Sequence, residues 1–373
     1  MRAAQEFIRE QKFADLEAGW VVTGASKRGW ATYLIGAATK CTQCVKVIGI
    51  MPLVPIVPDL RAELHRQYQA YGGFSFAFEP YIQAGLIKVI DTPLAKSAMQ
   101  MIDPLTFNDT LSQIPKLIVV SSSDEFMMMD WSNIWGDKFS GESHLLILPN
   151  AEHTMATNLP GVLSSVTTFI KSIVSGHTSE QRPRFEYQYC NETGQLNVTI
   201  PDNFDVDSVY FRTGKTISML SRDFRFLRQA NNNTEPCTAP WFKLPFGWNL
   251  LGGDCVQLEP WIGTKLEENP EIPGLYTAKP PHVHRGHWVG YYIEVYFKGD
   301  TPSTSPSSDL VSTLVSVSLS IFSILLDNLL LLESSPSALP FLRTQFSFST
   351  PGFVWPNTLP YPDCEGPCPE VIV

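Results

Sequence analysis

Three residues in this chain have the types and the order that nucleophilic catalysis requires: Ser26, Asp124 and His153. A serine hydroxyl is a weak nucleophile at neutral pH and needs a base to take its proton. A histidine base in turn needs a carboxylate to fix its tautomer and to hold the cation it becomes. Ser26 lies in Gly19-Trp-Val-Val-Thr-Gly24-Ala-Ser26-Lys-Arg-Gly29-Trp30. The apolar Trp20–Val22 run reads as a strand, Gly24 opens a tight turn, and Ala31–Ala38 suits a helix. A serine at the apex of such a turn is lifted above a sheet, and the N–H of the next residue, Lys27, is aimed at the developing oxyanion. The Lys27 or Arg28 charge would add to that stabilisation. The pattern is Gly-x-Ser-x-x-Gly, with Arg28 where a second glycine is usual and Gly29 one position later. Alone it is a weak signal, because Gly-Ala-Ser also occurs in ordinary strand-to-helix turns.

The other two residues also leave apolar runs. Asp124 follows Lys116–Ser121 (KLIVVS), and His153 follows His144–Leu148 (HLLIL), inside Pro149-Asn-Ala-Glu152-His153. Serine, acid, histidine, each after a strand, is the chain order of α/β-hydrolases. Taken singly, Asp124 could be a helix N-cap and His153 a surface-loop residue. Three separate strand exits imitating a triad is a harder coincidence. Glu125 is the nearest substitute acid and Asp130 a more distant one.

The elements that must position these residues divide the chain. Met1–Phe13 reads as a helix, and Val45–Met51 as a buried strand stopped by Pro52. From about 52 to 114 no strand–helix alternation is visible; Asp59–Tyr71 suits a helix, and the stretch reads as a helical cap over the sheet. Strand-like and helix-like segments then alternate: KLIVVS, a helix over Trp131–Lys138, HLLIL, and a helix over Leu159–Val174. That alternation implies a parallel sheet. After about residue 178 the texture becomes short alternating strands, at Phe185–Tyr189, Gln195–Ile200, Ser208–Arg212 and Trp288–Phe297, with a last strand over Phe346–Val354. These read as an all-β, sandwich-like domain over 182–300 and 341–373. Residues 301–340 form a Ser/Pro linker and an apolar insertion. Within it, 310–332 approaches the length of a membrane span, but its serines and Asp327 weigh against membrane association.

Composition narrows the function further. Across 373 residues, 44% are hydrophobic and 17% charged, which fits a folded protein of two domains. A formal charge of −10 with no basic block is unsuited to nucleic-acid partners. The seven cysteines follow no zinc pattern. Cys41-x-x-Cys44 falls at a helix C-terminal end, where the dipole does not activate a thiol, and reads as structural. His282, His284 and His287 lack a nearby carboxylate or cysteine and read as loop residues, so neither metal nor cofactor is expected. No signal peptide is visible in the sequence given, whereas sequons at Asn108, Asn191, Asn197 and Asn232 point towards secretion.

Several ordered motifs resemble the PhoPQ-activated pathogenicity-related family: Val22-Thr-Gly-Ala-Ser-Lys-Arg-Gly-Trp30, Tyr68-Gln-Ala-Tyr-Gly-Gly73, Ile102-Asp-Pro104, Pro115-Lys-Leu117 with Asp124-Glu-Phe126, and Leu148-Pro-Asn-Ala-Glu-His153. The tail Pro356-Asn-Thr-Leu-Pro-Tyr-Pro-Asp-Cys364 with Cys368 is similar to that family's C-terminus. The resemblance implies an α/β-hydrolase-like domain followed by a β-sandwich, in an extracellular protein. It carries the triad onto Ser26, Asp124 and His153. It also implies, for eukaryotic members, extracellular repression of proliferation, so that the partner is either a small ester or peptide substrate or a cell-surface receptor. Relative to the family, the elbow strand begins early and 303–338 reads as an insertion. Further N-terminal strands and a second oxyanion loop are therefore expected upstream of the sequence given, and the chain alone is expected to expose a sheet edge and to fold poorly.

Overall fold

The structure is a computed structural model that describes residues 19–38, 46–229, 255–257, 259–283, 286–298, 345–364 and 368–373. Four strands, β1 (Trp20–Ala25), β2 (Val47–Leu53), β3 (Lys116–Ser121) and β4 (Ser143–Leu148), form one sheet in that order, all parallel. Its inner strands read as unbroken apolar runs because both faces are covered. On β3, Ile118 and Val120 enter one core with Tyr33 of α1 (Lys27–Ala37), while Leu117 and Val119 enter the other. The second core holds Phe169 and Ile173 of a long helix over Leu159–Val174. Among the described residues, β1 has no strand on its outer side.

Strand β2 continues through Pro52, where the sequence suggested a stop. Ile50 and Val54 donate their N–H groups to Pro115 and Val119 carbonyls of the β3 side at 3.0 and 2.7 Å. Pro52, between them on the same edge, has no N–H to give, so the ladder skips one rung without breaking.

The segment between β2 and β3 is a helical cap. It contains α2 (Leu60–Tyr71), short helical turns, and α3 (Pro93–Ile102); the long helix over Leu159–Val174 is α4. Asp103 pins the cap, accepting the N–H groups of Asp59 (2.7 Å) and Leu105 (2.9 Å). Trp30 of α1 donates its indole N–H to the Ile102 carbonyl at 2.7 Å, tying the cap to the first helix.

The second half adds β5 (Glu186–Tyr189), β6 (Leu196–Thr199), β7 (Val206–Lys215), β8 (Leu227–Arg228), β9 (Cys255–Val256), β10 (Ile262–Lys265), β11 (Leu275–Ala278), β12 (Val289–Phe297), β13 (Phe346–Ser349) and β14 (Phe353–Trp355). All their pairings are antiparallel: β11-β6-β5, then β10-β7-β12-β13 with β14 also on β12, and β8 with β9. The single strand expected over 346–354 is two. Pro351 has no N–H for a ladder, and Gly352 lies so close to the Met129 carbonyl that a Cβ would sit 2.3 Å from it. The helix expected over 131–138 is only Ser132–Trp135 followed by a 3-10 turn.

The two halves share a core. Phe348 stacks on His144 at 4.2 Å, and the Ile147 N–H of β4 donates to Ser349 Oγ at 3.1 Å. The tail returns to the cap: Phe74 N–H donates to Val371 O (2.7 Å), and Val373 N–H to Phe74 O (2.9 Å). Gly72 and Gly73 make room for it, since Cβ atoms there would meet the Tyr361 ring at 2.7 Å and the Val371 carbonyl at 2.6 Å. Among the described residues no helix is long and apolar enough to cross a membrane. The helix expected over 1–13, Cys41 and Cys44, Asn232, His284 and the 301–340 segment lie outside the described residues.

Candidate active site

Ser26, Asp124 and His153 each lie in the turn or loop that follows the C-terminal end of a parallel strand, β1, β3 and β4 respectively. Ser26 joins β1 to α1 at φ 57° and ψ −121°, a conformation that L side chains adopt only under constraint. Two glycines permit it. A Cβ on Gly24 would lie 2.7 Å from the Arg28 carbonyl and 2.8 Å from Arg28 Cβ. A Cβ on Gly29 would lie 2.8 Å from the Leu53 carbonyl, the group that accepts the Ser26 N–H. Arg28 therefore needs no glycine of its own: Gly24 gives way to its Cβ, and the second close approach falls at position 29.

A serine at a helix N-cap ordinarily turns its hydroxyl onto the helix N–H groups. Ser26 makes no such bond; its Oγ lies 2.9 Å from His153 Nε2. Both Asp124 carboxylate oxygens lie 2.9 Å from His153 Nδ1. The carboxylate accepts the Nδ1 proton, which leaves the Nε2 lone pair to accept the Ser26 hydroxyl proton. Asp124 and His153 are buried, at 4% and 7% exposure, and the Phe126 ring packs on the imidazole at 4.3 Å. Asp124 also caps its own turn, its Oδ1 accepting Phe126 N–H (2.7 Å) and Met127 N–H (3.2 Å). No helix follows directly, since the next one is Ser132–Trp135 with Trp131 at its N-cap, so Asp124 braces a bend and not a helix start. The Lys27 N–H is the first of α1, where no carbonyl one turn earlier can accept it, and its ammonium lies 5.3 Å over the Tyr81 ring of the cap.

The loops are locked by groups that sequence reasoning passed over or placed elsewhere. Glu125, the substitute acid, does not approach the imidazole ring. Its Oε2 accepts the backbone N–H of His153 (3.0 Å) and its Oε1 that of Leu227 (3.1 Å). Burial, and then the neighbouring Asp124 charge, push its carboxyl up to about 8. Asp130 is paired with Arg66 (2.5 Å) and Arg222, away from the triad. Ser123 donates its N–H to Ala151 O (2.9 Å) and accepts the Trp261 indole N–H at its hydroxyl (3.1 Å). Asn150 exchanges two bonds with the Trp261 backbone, at 2.6 and 3.1 Å. Glu152 closes the loop on Thr154, Ala156 and Thr157; burial raises its carboxyl, but those hydroxyl and N–H donors outweigh it and hold it below the usual range. The Pro-Asn-Ala-Glu-His motif is therefore a set of loop fasteners with His153 at its end. Of the histidines in the 282–287 cluster, His287 donates Nδ1–H to Thr216 O at 2.9 Å.

Residues 1–225, more than half of the chain, match the profile of the PhoPQ-activated pathogenicity-related proteins. The chain belongs to this family. Autocrine proliferation repressor protein A of Dictyostelium discoideum is 30% identical over 237 residues, which are 61% of this chain and 45% of that protein. This member thus spans less than half the length of that relative. Solved structures similar to part of it include a puromycin-hydrolyzing peptidase of Mycobacterium tuberculosis (18% identity, 46% of this chain and 25% of that one, TM-score 0.34). Est1E of Butyrivibrio proteoclasticus is 18% identical over 41% of this chain and 60% of its own, with a TM-score of 0.28. A monoacylglycerol lipase of Paleococcus ferrophilus is 14% identical over 47% and 73%, with a TM-score of 0.28. The family member described here has a parallel four-stranded sheet and an antiparallel second half.

Proposed function

We propose that this chain is a serine hydrolase acting on an ester or peptide bond. The observation that carries the reading is the unbroken Ser26–His153–Asp124 hydrogen-bond chain. Ser26 Oγ attacks the carbonyl carbon while His153 Nε2 takes its proton, and Asp124 stabilises the imidazolium. The Lys27 N–H, at the positive end of α1, donates to the carbonyl oxygen as it becomes an oxyanion. The tetrahedral intermediate collapses as His153 returns the proton to the leaving alkoxide or amine, leaving an acyl-serine. Water, deprotonated by the same imidazole, then releases the acid and restores Ser26. A fluorophosphonate probe should label the folded chain and fail to label Ser26→Ala. Folded wild type that stays unlabelled would sink the proposal.

A second reading is suggested by the name of the Dictyostelium relative: the hydrolase scaffold binds a cell-surface receptor and represses proliferation without catalysis. If Ser26→Ala keeps growth repression, that reading is favoured for the signal. Secretion is supported by the Cys364–Cys368 disulfide, the disulfide-bonded Cys255 and the exposed sequon at Asn191. The Asn108 sequon gives no such support, because its amide is engaged with Lys138 O and Ser140 Oγ.

A further inference from the structure

Within the cap, α2 meets the tail around a second histidine. His65 Nδ1 lies 2.8 Å from Asp363 Oδ1 and 3.7 Å from Cys364 Sγ. Its Nε2 lies 3.0 Å from Asp91 Oδ2, and Arg61 holds Asp91 at 2.5 Å. Cys364 is bonded to Cys368, which is buried. Ligand atoms of His65, Cys364 and Cys368 all lie within 4.8 Å of one another.

This is the donor set of a tetrahedral site with its outer shell already built. Two thiolates and an imidazole suit Zn²⁺, and the Asp363 carboxylate, 2.8 Å from Nδ1 and 3.7 Å from Cys364 Sγ, stands beside them as a fourth donor. A zinc-bound histidine characteristically donates its other ring N–H to a carboxylate that fixes its orientation. Asp91 is that carboxylate, and Arg61 fixes Asp91 in turn. The one obstacle is the S–S bond, which brings the two sulfurs closer than a metal allows. Once it is broken, they can separate to the roughly 3.8 Å that two Zn–S bonds at a tetrahedral angle require.

We propose that, with the Cys364–Cys368 disulfide reduced, His65, Cys364, Cys368 and Asp363 bind one Zn²⁺ ion that clips the tail to the cap. Zinc and the disulfide are then alternative fasteners at one place: zinc in a reducing compartment, the disulfide after export. A phosphine reductant makes the conversion accessible. The phosphine takes oxygen from water to become its oxide, and the two electrons it gives up break the S–S bond to yield two thiols. Each thiol then loses a proton as Zn²⁺ binds. The site is independent of the serine hydrolase reading.

The test is zinc uptake by the full chain, oxidised and phosphine-reduced, measured against a chromophoric chelator. The reduced wild type should hold one more equivalent than Cys368→Ser, while Cys190→Ser should hold as much as wild type. Asp91→Asn, which keeps every ligand, should weaken that equivalent by about 10–100-fold. Equal uptake by reduced wild type and Cys368→Ser would place the metal elsewhere, for example at Cys41 and Cys44, and overturn the proposal. Alkylation mapping on the unmutated chain supplies a readout that needs no variant to fold. Zinc should protect Cys364 and Cys368 together, and their unprotected modification at saturating zinc would overturn the proposal equally.

Discussion

His153 and His65 are both largely buried, with side-chain exposures of 7% and 12%, and both face carboxylates. His153 has Asp124 on Nδ1 and the Ser26 hydroxyl on Nε2. One acceptor and one donor is the arrangement that the proposed base requires. His65 has Asp363 on Nδ1 and Asp91 on Nε2. Carboxylates on both ring nitrogens tie the imidazole to the tail and to the cap and make the ring a clamp. What separates the proposed base from the fastening histidine in this molecule is the identity of a single partner, a hydroxyl on a constrained turn against a second carboxylate on the tail.

That contrast can be broken in steps. The largest effect is expected from Ser26→Ala, which leaves His153 without a nucleophile; turnover of an activated ester should fall on the order of 10⁶-fold with the melting temperature little changed. Asp124→Asn should cost about 10⁴-fold, because an amide no longer fixes the tautomer. Should Asp124→Asn hydrolyse the ester as wild type does, Asp124 is only the cap of its turn. Gly29→Ala tests the turn beneath the nucleophile: its Cβ would press on the Leu53 carbonyl, and destabilisation of about 1–3 kcal/mol is expected in a denaturant titration. Asp363→Asn removes one of the two acids on His65. With Asp363 half exposed, it should cost under about 1 kcal/mol and leave hydrolysis unchanged.

Glu125 supplies a pH test with a definite sign. Its folded pKa of about 8 lies above the ordinary 4.5, so between those values the folded chain holds a proton that the unfolded chain has lost. The contribution to stability is complete below about pH 4.5 and is lost as pH rises towards 8. Buried Glu63, also raised to about 8 by burial, acts in the same direction. The melting temperature should therefore fall across this window, and Glu125→Gln should make the fall shallower. An unchanged slope would mean that Glu125 is ionised throughout.

The sequence makes Ser26, Asp124 and His153 legible as a group because each follows an apolar run, and the runs announce parallel strands. It also makes the glycine at position 29 visible without revealing its reason, which is a carbonyl on the neighbouring strand. The fasteners leave no such trace. Asp363 and His65 are 298 positions apart, and Glu125 reaches Leu227 across 102. No periodicity links such residues, because the contacts exist only after the second half has folded onto the first. Pro52 misleads for a related reason: a local rule about ladders is overridden by the strands on either side of it.

The Glu125 carboxyl spans two segments that the linear order keeps apart, one oxygen on the His153 backbone and the other on Leu227. Ser123, just before the acid, is likewise held by the indole of Trp261. A fragment ending near residue 178 would contain Ser26, Asp124 and His153 and still lack the groups that hold their loops in register. The half that carries the parallel sheet is therefore not a transplantable module. Any chimera that grafts it onto a different partner must provide an amide where Leu227 stands and an indole where Trp261 stands.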